Sequence, residues 1–276
     1  MHTRRVAPCQ YHVVCVVLTC CAVLVPRAGA QTQATRPASP GAAAVTTTNP
    51  TPPEWRGGNA FRNLFDQTAN DFRHLVSRDS GLIAAIGGAA ALAGRAADRQ
   101  SSTAMSGSAG LHGVFGPGET IGGARTQAAA AAATYALGRM TSNATVTRIG
   151  ADLIRAQIVT QTVTTMVKGT VNRTRPDGTQ YSFPSGHSSV TFATATVLQR
   201  NLGWKAGVPA YAVAGYVAAS RVQAKRHFLS DVTFGAALGI VAGRAVTVGR
   251  GNHRFAVAPT AVPGGGGVSF TWAGTR

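Results

Sequence analysis

The sequence predicts an all-α fold, a helical bundle of about six to seven helices, on three observations. Hydrophobic residues make up 45% of the 276-residue chain and charged residues only 13%, so there is enough apolar material for a sizeable core. The chain contains 33 glycines and many alanines, and small residues at this density suit closely packed helices. Between residues 61 and 250, apolar helical stretches alternate with polar breaks, without a strand pattern.

Apolar periodicity and the breaks between periodic stretches place the individual elements. We predict helices near 60–76, 80–97, 122–140, 146–171, 185–201, 206–222 and 228–248, separated by breaks at 99–110, 116–118, 172–184 and 203–209. The helical domain therefore covers about 59–250. In the tail, 251–276, β-forming residues alternate over 255–262 and 267–272 around a glycine-rich turn, which predicts a β-hairpin.

The N-terminus has the pattern of a secretory signal peptide over residues 1–30. Arg4 and Arg5 precede a 13-residue apolar stretch, and Ala28-Gly29-Ala30 offers a small-residue cleavage site. We therefore expect an exported protein, periplasmic or associated with the cell envelope, that is cleaved after Ala30. An uncleaved N-terminal anchor is the alternative. Residues 31–58 are rich in Pro, Thr, Ala and Ser, which predicts a disordered linker.

The sequence argues against membrane insertion and against specific nucleic-acid binding. Outside the signal, the uncharged apolar runs 80–94, 206–220 and 232–243 are shorter than the roughly 20 residues that a spanning helix needs. A soluble bundle is therefore favoured over an embedded one. The formal charge of +17 would attract phosphates and anionic lipids. Because the basic residues are spread singly and do not alternate with aromatics, no nucleic-acid partner is expected.

A histidine and an aspartate lie four residues apart where the last long helix is predicted to begin. On a helix starting near Phe228, His227 and Asp231 would share one face. A carboxylate beside an imidazole fixes its tautomer and leaves the other ring nitrogen free to act as a nucleophile. Taken alone, this pair is as well explained by a surface ion pair.

A second segment, Pro184-Ser185-Gly186-His187, predicts a phosphate-binding helix start. Ser185 is a natural N-cap, and the backbone N–H groups that follow would point at an anion. Gly186 would let the backbone approach a phosphate closely, and His187 could protonate a departing oxygen. A capped helix with an incidental histidine is the competing interpretation.

A third segment supplies positive charge. Lys168 and Arg175 flank a turn before Pro176, and with Arg221 they offer three cations for the oxygens of a phosphoryl group. The neighbouring Arg173, Lys225 and Arg226 are interpreted as solvated or as steering the substrate.

Together, the segments K-x6-R-P, P-S-G-H and S-R-x5-H-x3-D resemble the signature of the type 2 phosphatidic acid phosphatase and vanadium haloperoxidase superfamily. The sequence matches all three in order over residues 168–231. The resemblance implies a helical core with the site at one end of the bundle, and hydrolysis without a metal. It implies that His227 attacks phosphorus, that Asp231 orients His227, and that His187 acts as general acid and then as base for water. The residues that would hold the phosphate oxygens are Lys168, Arg175, Ser185, Gly186 and Arg221.

The function expected from this reasoning is an exported phosphoric ester hydrolase, of the acid phosphatase or phosphatidic acid phosphatase type, that uses a phosphohistidine. Its substrate would be a phosphorylated small molecule or a lipid phosphate, with peripheral membrane contact. No cofactor is expected, and no carboxylate cluster suggests a metal site. Two alternatives stay open: a haloperoxidase that holds vanadate with the same residues, and a non-catalytic protein that binds envelope polymer or anionic lipid.

Overall fold

A computed structural model describes residues 60–106, 109–248, 253–262 and 265–274 of the chain. The predicted signal peptide and linker lie outside these ranges. The helices are α1 Ala60–His74, α2 Arg78–Gly94, α3 Asp98–Ser106, α4 Ala109–Phe115, α5 Pro117–Ile121, α6 Ala124–Met140, α7 Ala144–Val171, α8 Gly186–Leu202, α9 Trp204–Gln223 and α10 Leu229–Val246, with a 3-10 turn at Arg95–Ala97. They are followed by the strands β1 His253–Val262 and β2 Gly265–Gly274.

The all-α prediction is confirmed for the helical part, and all seven predicted helices are present. The segments 99–110 and 116–118, which were predicted as polar breaks, are instead the short helices α3, α4 and α5. Helices of this length are only marginally stable without tertiary packing. Each of them also spans too few residues for an apolar periodicity to be detected in the sequence. In α3 the buried residues are polar, Asp98 and Ser102, which explains why an apolar pattern missed it.

The expected hairpin is also present. β1 and β2 pair antiparallel from His253↔Gly274 to Val262↔Gly265. The predicted strands 255–262 and 267–272 lie inside the observed ones.

Local sequence signals set the ends of the longest helix, α7. It begins after Asn143, whose side-chain oxygen accepts the N–H groups of Thr145 and Val146 at 3.1 Å each. It ends at Asn172, which adopts a left-handed conformation with φ of 41°. Because α7 stops there, the chain turns back over the end of the bundle and brings residues 173–185 across it.

The core is made of small residues packed between α7, α8 and α10, with α6 and α9 outside them. Its fully buried members are Ala131, Ile149, Leu153, Ala156, Val159, Ala193, Val197, Ala242 and Val246. Small side chains let helix backbones approach closely, and Gly239 of α10 is one of the tightest examples. A Cβ at Gly239 would overlap the carbonyl oxygen of Ser189 and crowd the backbone nitrogen of Ala193 at 2.8 Å.

We expect Gly239→Ala to lower the free energy of unfolding by about 2 kcal/mol or more, since backbone atoms of α8 cannot move aside as a side chain can. Gly215→Ala is the matched control, because a Cβ at Gly215 of α9 meets nothing within 4 Å. There the substitution should stabilise the helix by up to about 1 kcal/mol. Urea denaturation of both variants measures the difference. Equal stabilities would contradict close packing of α8 on α10.

Two segments are long and apolar enough to cross a membrane by length and composition: the continuous helical stretch Arg78–Ser106, and α10. Most of α10 is buried within the bundle, whereas most of the other stretch is not. The exposed apolar side chains of α2 include Leu82 and Ile86, at 62% and 61% exposure. α9 presents Trp204 and Val208 in the same way, at 65% and 63%. The preference for a soluble bundle stays a prediction.

Candidate active site

The predicted site residues meet at one end of the bundle. Lys168 lies in the last turn of α7, His187 and Arg221 lie near the ends of α8 and α9, and Asp231 lies in the first turn of α10. The loops 172–185 and 224–228 connect these ends and carry other residues of the three sequence segments. A Cβ at Gly186 would contact Lys168 Cε at 4.0 Å, so the start of α8 adjoins the end of α7. The structure therefore brings the three separate sequence segments together.

Ser185 caps α8 as predicted. Its hydroxyl accepts the N–H of Ser188 at 3.4 Å, and its own N–H donates to the carbonyl of Asp231 at 3.0 Å. Ser185 is fully buried and joins the first turn of α8 to the first turn of α10. The backbone N–H groups of the first turn of α8 therefore sit beside the histidines of the site.

His227 is held by a backbone carbonyl. Its Nδ1 lies 2.6 Å from the carbonyl oxygen of Ser182, while the Asp231 carboxylate is 3.8 Å from Nδ1. A carbonyl oxygen can only accept, so Nδ1 carries the proton and Nε2 keeps a free lone pair. His227 is 4% exposed, and burial is the largest cause that lowers its pKa. The ring is therefore neutral at neutral pH, with Nε2 available as a nucleophile.

The expected direct contact between Asp231 and His227 needs correction. At 3.8 Å the two groups attract electrostatically but do not form a good hydrogen bond. Asp231 acts mainly through Ser182, whose hydroxyl donates to the Asp231 carboxylate and whose carbonyl accepts from His227. Asp231 also accepts the N–H of Phe228 at 2.8 Å. Sequence reasoning missed Ser182, because a backbone carbonyl as partner carries no side-chain signal.

Asp231 stays ionised although it is fully buried. Burial acts to raise its pKa, but the interaction with His227, the hydrogen bonds from Ser182 and Phe228 and the charge of Arg173 outweigh it, so the pKa is lowered. A buried negative charge behind His227 would stabilise positive charge on the imidazole.

Arg173 is not the solvated or substrate-steering residue that was predicted. Its guanidinium lies between two buried carboxylates, 2.7 Å from Asp231 and 2.7 Å from Asp98. It also stacks 4.2 Å from the centre of the Phe228 ring. Asp98, in α3, accepts the N–H of Ser230 at 2.9 Å and its hydroxyl at 2.7 Å. Arg173 and Asp98 therefore hold the start of α10 in place.

The other two basic residues of this group lie nearer to solvent, as predicted. Lys225 is exposed, and Arg226 is half-exposed and pairs with Asp177 at 2.9 Å.

The charges of Lys168 and Arg175 act on His227, and the charge of Arg221 acts on His187. Lys168 donates to the carbonyl of Tyr181 at 2.7 Å, and burial, then the charge of Arg175, lowers its pKa to about 8. Arg221 is 2% exposed, and its side chain contacts Glu119 at 3.7 Å. The Nε atoms of Arg175 and Arg221 are buried and have no hydrogen-bond partner within the described residues. Buried donors of this kind indicate a site for an anion.

His187 is half-buried and faces the same charges. Burial, then the positive charges of Arg221 and His227, lower its pKa to about 4. His187 is therefore neutral in the empty site at neutral pH. A bound phosphate would add negative charge beside it and raise its pKa. Glu119, which was not among the predicted site residues, also acts to raise the pKa of His187, through its charge and a backbone hydrogen bond.

Residues 177–255 match the family model of the PAP2 superfamily. This segment of the chain is similar to the PAP2 superfamily. The matched stretch includes Ser185, Gly186, His187, Arg221, His227 and Asp231, and begins after Lys168 and Arg175.

Three known proteins are similar to this chain. Over 82 residues it is 45% identical to lipid A 1-phosphatase of Porphyromonas gingivalis. That alignment covers 28% of this chain and only 18% of the relative's length. The crystal structure of Aquifex aeolicus LpxE is similar with a TM-score of 0.46 and 20% identity, covering 54% of this chain and 93% of that one. The crystal structure of a transmembrane PAP2-type phosphatidylglycerolphosphate phosphatase from Bacillus subtilis is similar with a TM-score of 0.43 and 21% identity. This similarity covers 68% of this chain and 92% of that one.

Proposed function

We propose that this protein hydrolyses phosphate esters, with lipid phosphates as its preferred class, through a phosphohistidine on His227. One observation carries the proposal. The Nδ1 of buried His227 is committed to the Ser182 carbonyl, which leaves Nε2 free, while the charges of Lys168 and Arg175 act on His227 and that of Arg221 acts on His187. A nucleophile surrounded by fixed positive charge is what phosphoryl transfer requires, since the reaction depends on positioning and charge stabilisation.

The reaction proceeds in two balanced steps. In the first, Nε2 of His227 attacks phosphorus while the bond from phosphorus to the leaving oxygen breaks, and protonated His187 gives its proton to that oxygen. In the second, neutral His187 takes a proton from water as the water oxygen attacks phosphorus, and the bond from phosphorus to Nε2 of His227 breaks. The products are the alcohol and inorganic phosphate, and both histidines return to their starting state. Lys168, Arg175 and Arg221 bind the phosphoryl oxygens throughout.

The preference for lipid phosphates has two supports. A relative of 45% identity over 82 residues is a lipid A 1-phosphatase. The exposed apolar side chains of α2 and α9 offer surfaces for contact with acyl chains at the cell envelope. Export by a signal peptide cleaved after Ala30 belongs to the same proposal, and N-terminal sequencing of the exported protein tests it.

The test is release of inorganic phosphate, in EDTA, from p-nitrophenyl phosphate and from phosphatidic acid in vesicles. We expect release from both, with phosphatidic acid preferred at equal accessible concentration. Release that stops in EDTA and returns with a divalent cation would contradict the metal-free mechanism. No release from either substrate would contradict the proposed hydrolysis, and a vanadate-dependent oxidation of halide by peroxide would then identify the haloperoxidase alternative.

The pH dependence follows from the two histidines. His187 must be protonated to donate, and the protonated fraction falls as pH rises through its pKa of about 4 in the empty site. We therefore expect kcat/KM, corrected for substrate ionisation, to decline already below pH 6.5, the ordinary histidine pKa. Bound phosphate raises the pKa of His187, so the decline in kcat should lie at higher pH than the decline in kcat/KM.

His187→Asn is the control for this assignment, since it should remove the alkaline decline along with most of the activity. A kcat/KM that is constant from about pH 5 to 9 would contradict the division of roles between the two histidines.

A further inference from the structure

The short helix α5 is packed directly against two catalytic groups. Gly118 lies against the side chain of Ser220, the residue before Arg221, and a Cβ at position 118 would overlap the Ser220 hydroxyl. At the other end, a Cβ on Gly122 would lie 3.1 Å from Cδ2 of His187. The side-chain amide of Gln127 donates to the carbonyl of Ile121 at 2.8 Å and fixes the end of the helix. α5 therefore has a defined position over Arg221 and His187.

Glu119 of α5 places a carboxylate at the mouth of the site. Its side chain is 66% exposed, and one oxygen lies 3.7 Å from a terminal nitrogen of Arg221, whose own side chain is 3% exposed. The carboxylate thus contacts the buried cation from the solvent side. Asp231, the other acid beside the site, is fully buried behind His227 and already holds Ser182 and Arg173.

The proposed function, on which this inference rests, indicates on which side of the site Glu119 lies. In-line transfer places His227 on one side of phosphorus and the leaving oxygen on the other. His187 protonates that oxygen, and α5 lies against His187. The Glu119 carboxylate is therefore on the side from which the leaving group departs toward solvent.

We propose that Glu119 determines leaving-group specificity, by selecting uncharged alcohols over leaving groups that carry a second phosphate. A diphosphate substrate leaves as a phosphate monoester, and its charge would depart past the Glu119 carboxylate. Two like charges a few ångströms apart at a partly exposed position repel by about 1 kcal/mol, which corresponds to a discrimination of about fivefold. A neutral alcohol is not repelled, and its hydroxyl groups can donate to the carboxylate.

The same two steps apply to both substrate classes, so a matched pair isolates the leaving group. With farnesyl phosphate the leaving group is farnesol, and with farnesyl diphosphate it is farnesyl phosphate. Adenosine monophosphate and adenosine diphosphate form a second, soluble pair, with adenosine and adenosine monophosphate as leaving groups. In each case the transferred group is one phosphoryl, which water releases as inorganic phosphate.

The experiment measures initial kcat/KM for both pairs in EDTA, with separation of the organic products. Wild-type protein should prefer the monophosphate, and Glu119→Gln should raise the ratio of diphosphate to monophosphate by about fivefold. Asp66→Asn is the matched control. It also removes one surface carboxylate, 64% exposed and 3.9 Å from an arginine, but in α1 and outside the site. Its ratio should equal that of wild type. The difference between wild type and Glu119→Gln should shrink in about 0.5 M salt, because screening weakens exposed charges.

The outcomes separate this inference from the proposed function. Hydrolysis by wild type with the same ratio in Glu119→Gln, or a wild-type preference for the diphosphate, would overturn the role of Glu119 and leave the phosphatase intact. A shift that does not respond to salt would indicate a structural effect and would also overturn it. Failure of wild type on both pairs and on p-nitrophenyl phosphate would instead refute the proposed function.

Discussion

Replacing His227 with alanine should lower kcat for p-nitrophenyl phosphate by at least about 10³-fold, because the nucleophile is lost while the cations remain. Residual hydrolysis would come from water attacking a phosphate held by Lys168, Arg175 and Arg221. Rapid acid-free denaturation of the wild-type protein during turnover of a radiolabelled phosphate ester should trap label on the chain, and His227→Ala should trap none.

A fold control accompanies this substitution, since His227 is buried and its loss leaves the Ser182 carbonyl without its donor. That loss is expected to cost about 1–3 kcal/mol, so circular dichroism must show that the variant is folded at the assay temperature. His112→Ala is the matched histidine control, because His112 lies in α4 and is exposed. Full activity in a folded His227→Ala variant would overturn the phosphohistidine mechanism.

Replacing Arg173 with methionine should lower the free energy of unfolding by about 3–5 kcal/mol, because the substitution removes the cation between the buried carboxylates of Asp98 and Asp231. In the wild type, the lowered pKa of Asp231 means that its contribution is present above the unfolded-state pKa and is lost as pH falls through the folded-state value. In the variant, the Asp231 carboxylate loses this cation and its pKa should rise. The destabilising effect is then present at neutral pH and is relieved as pH falls through the raised pKa of Asp231.

Urea denaturation at several pH values measures this effect. Arg226→Met is the matched control, since its ion pair with Asp177 is partly exposed and should contribute less than about 1 kcal/mol. Adding Asp98→Asn to Arg173→Met should recover part of the lost stability by removing one unpaired charge. If Arg173→Met and Arg226→Met are equally stable at neutral pH, the buried network does not stabilise the start of α10. Activity should fall with stability, because Asp231 positions Ser182 and through it His227.

The long helices and the contacts within a few residues along the chain were predictable from the sequence. Apolar periodicity over 15 or more residues located α1, α2 and α6 to α10, whereas α3, α4 and α5 are too short for such a pattern. The cap at Ser185 and the proximity of His227 to Asp231 also followed from spacing, since both depend on positions at most four residues apart. His227 lies before α10, which begins at Leu229, so the two residues do not share a helix face.

The sequence by itself therefore determined the all-α class, the identity of the charged and histidine side chains, and their grouping into three segments. The tertiary structure alone decided what each of them touches. Ser182 holds His227 through its backbone carbonyl, and a contact of this kind cannot be predicted from the residue type. Asp98 reaches Ser230 across 132 positions of the chain, and Glu119 reaches Arg221 across a similar gap. Arg173 was assigned to solvent because only the packing of α3 against α10 reveals its two buried partners. Such contacts depend on how helices far apart in sequence pack together, and local spacing does not encode that arrangement.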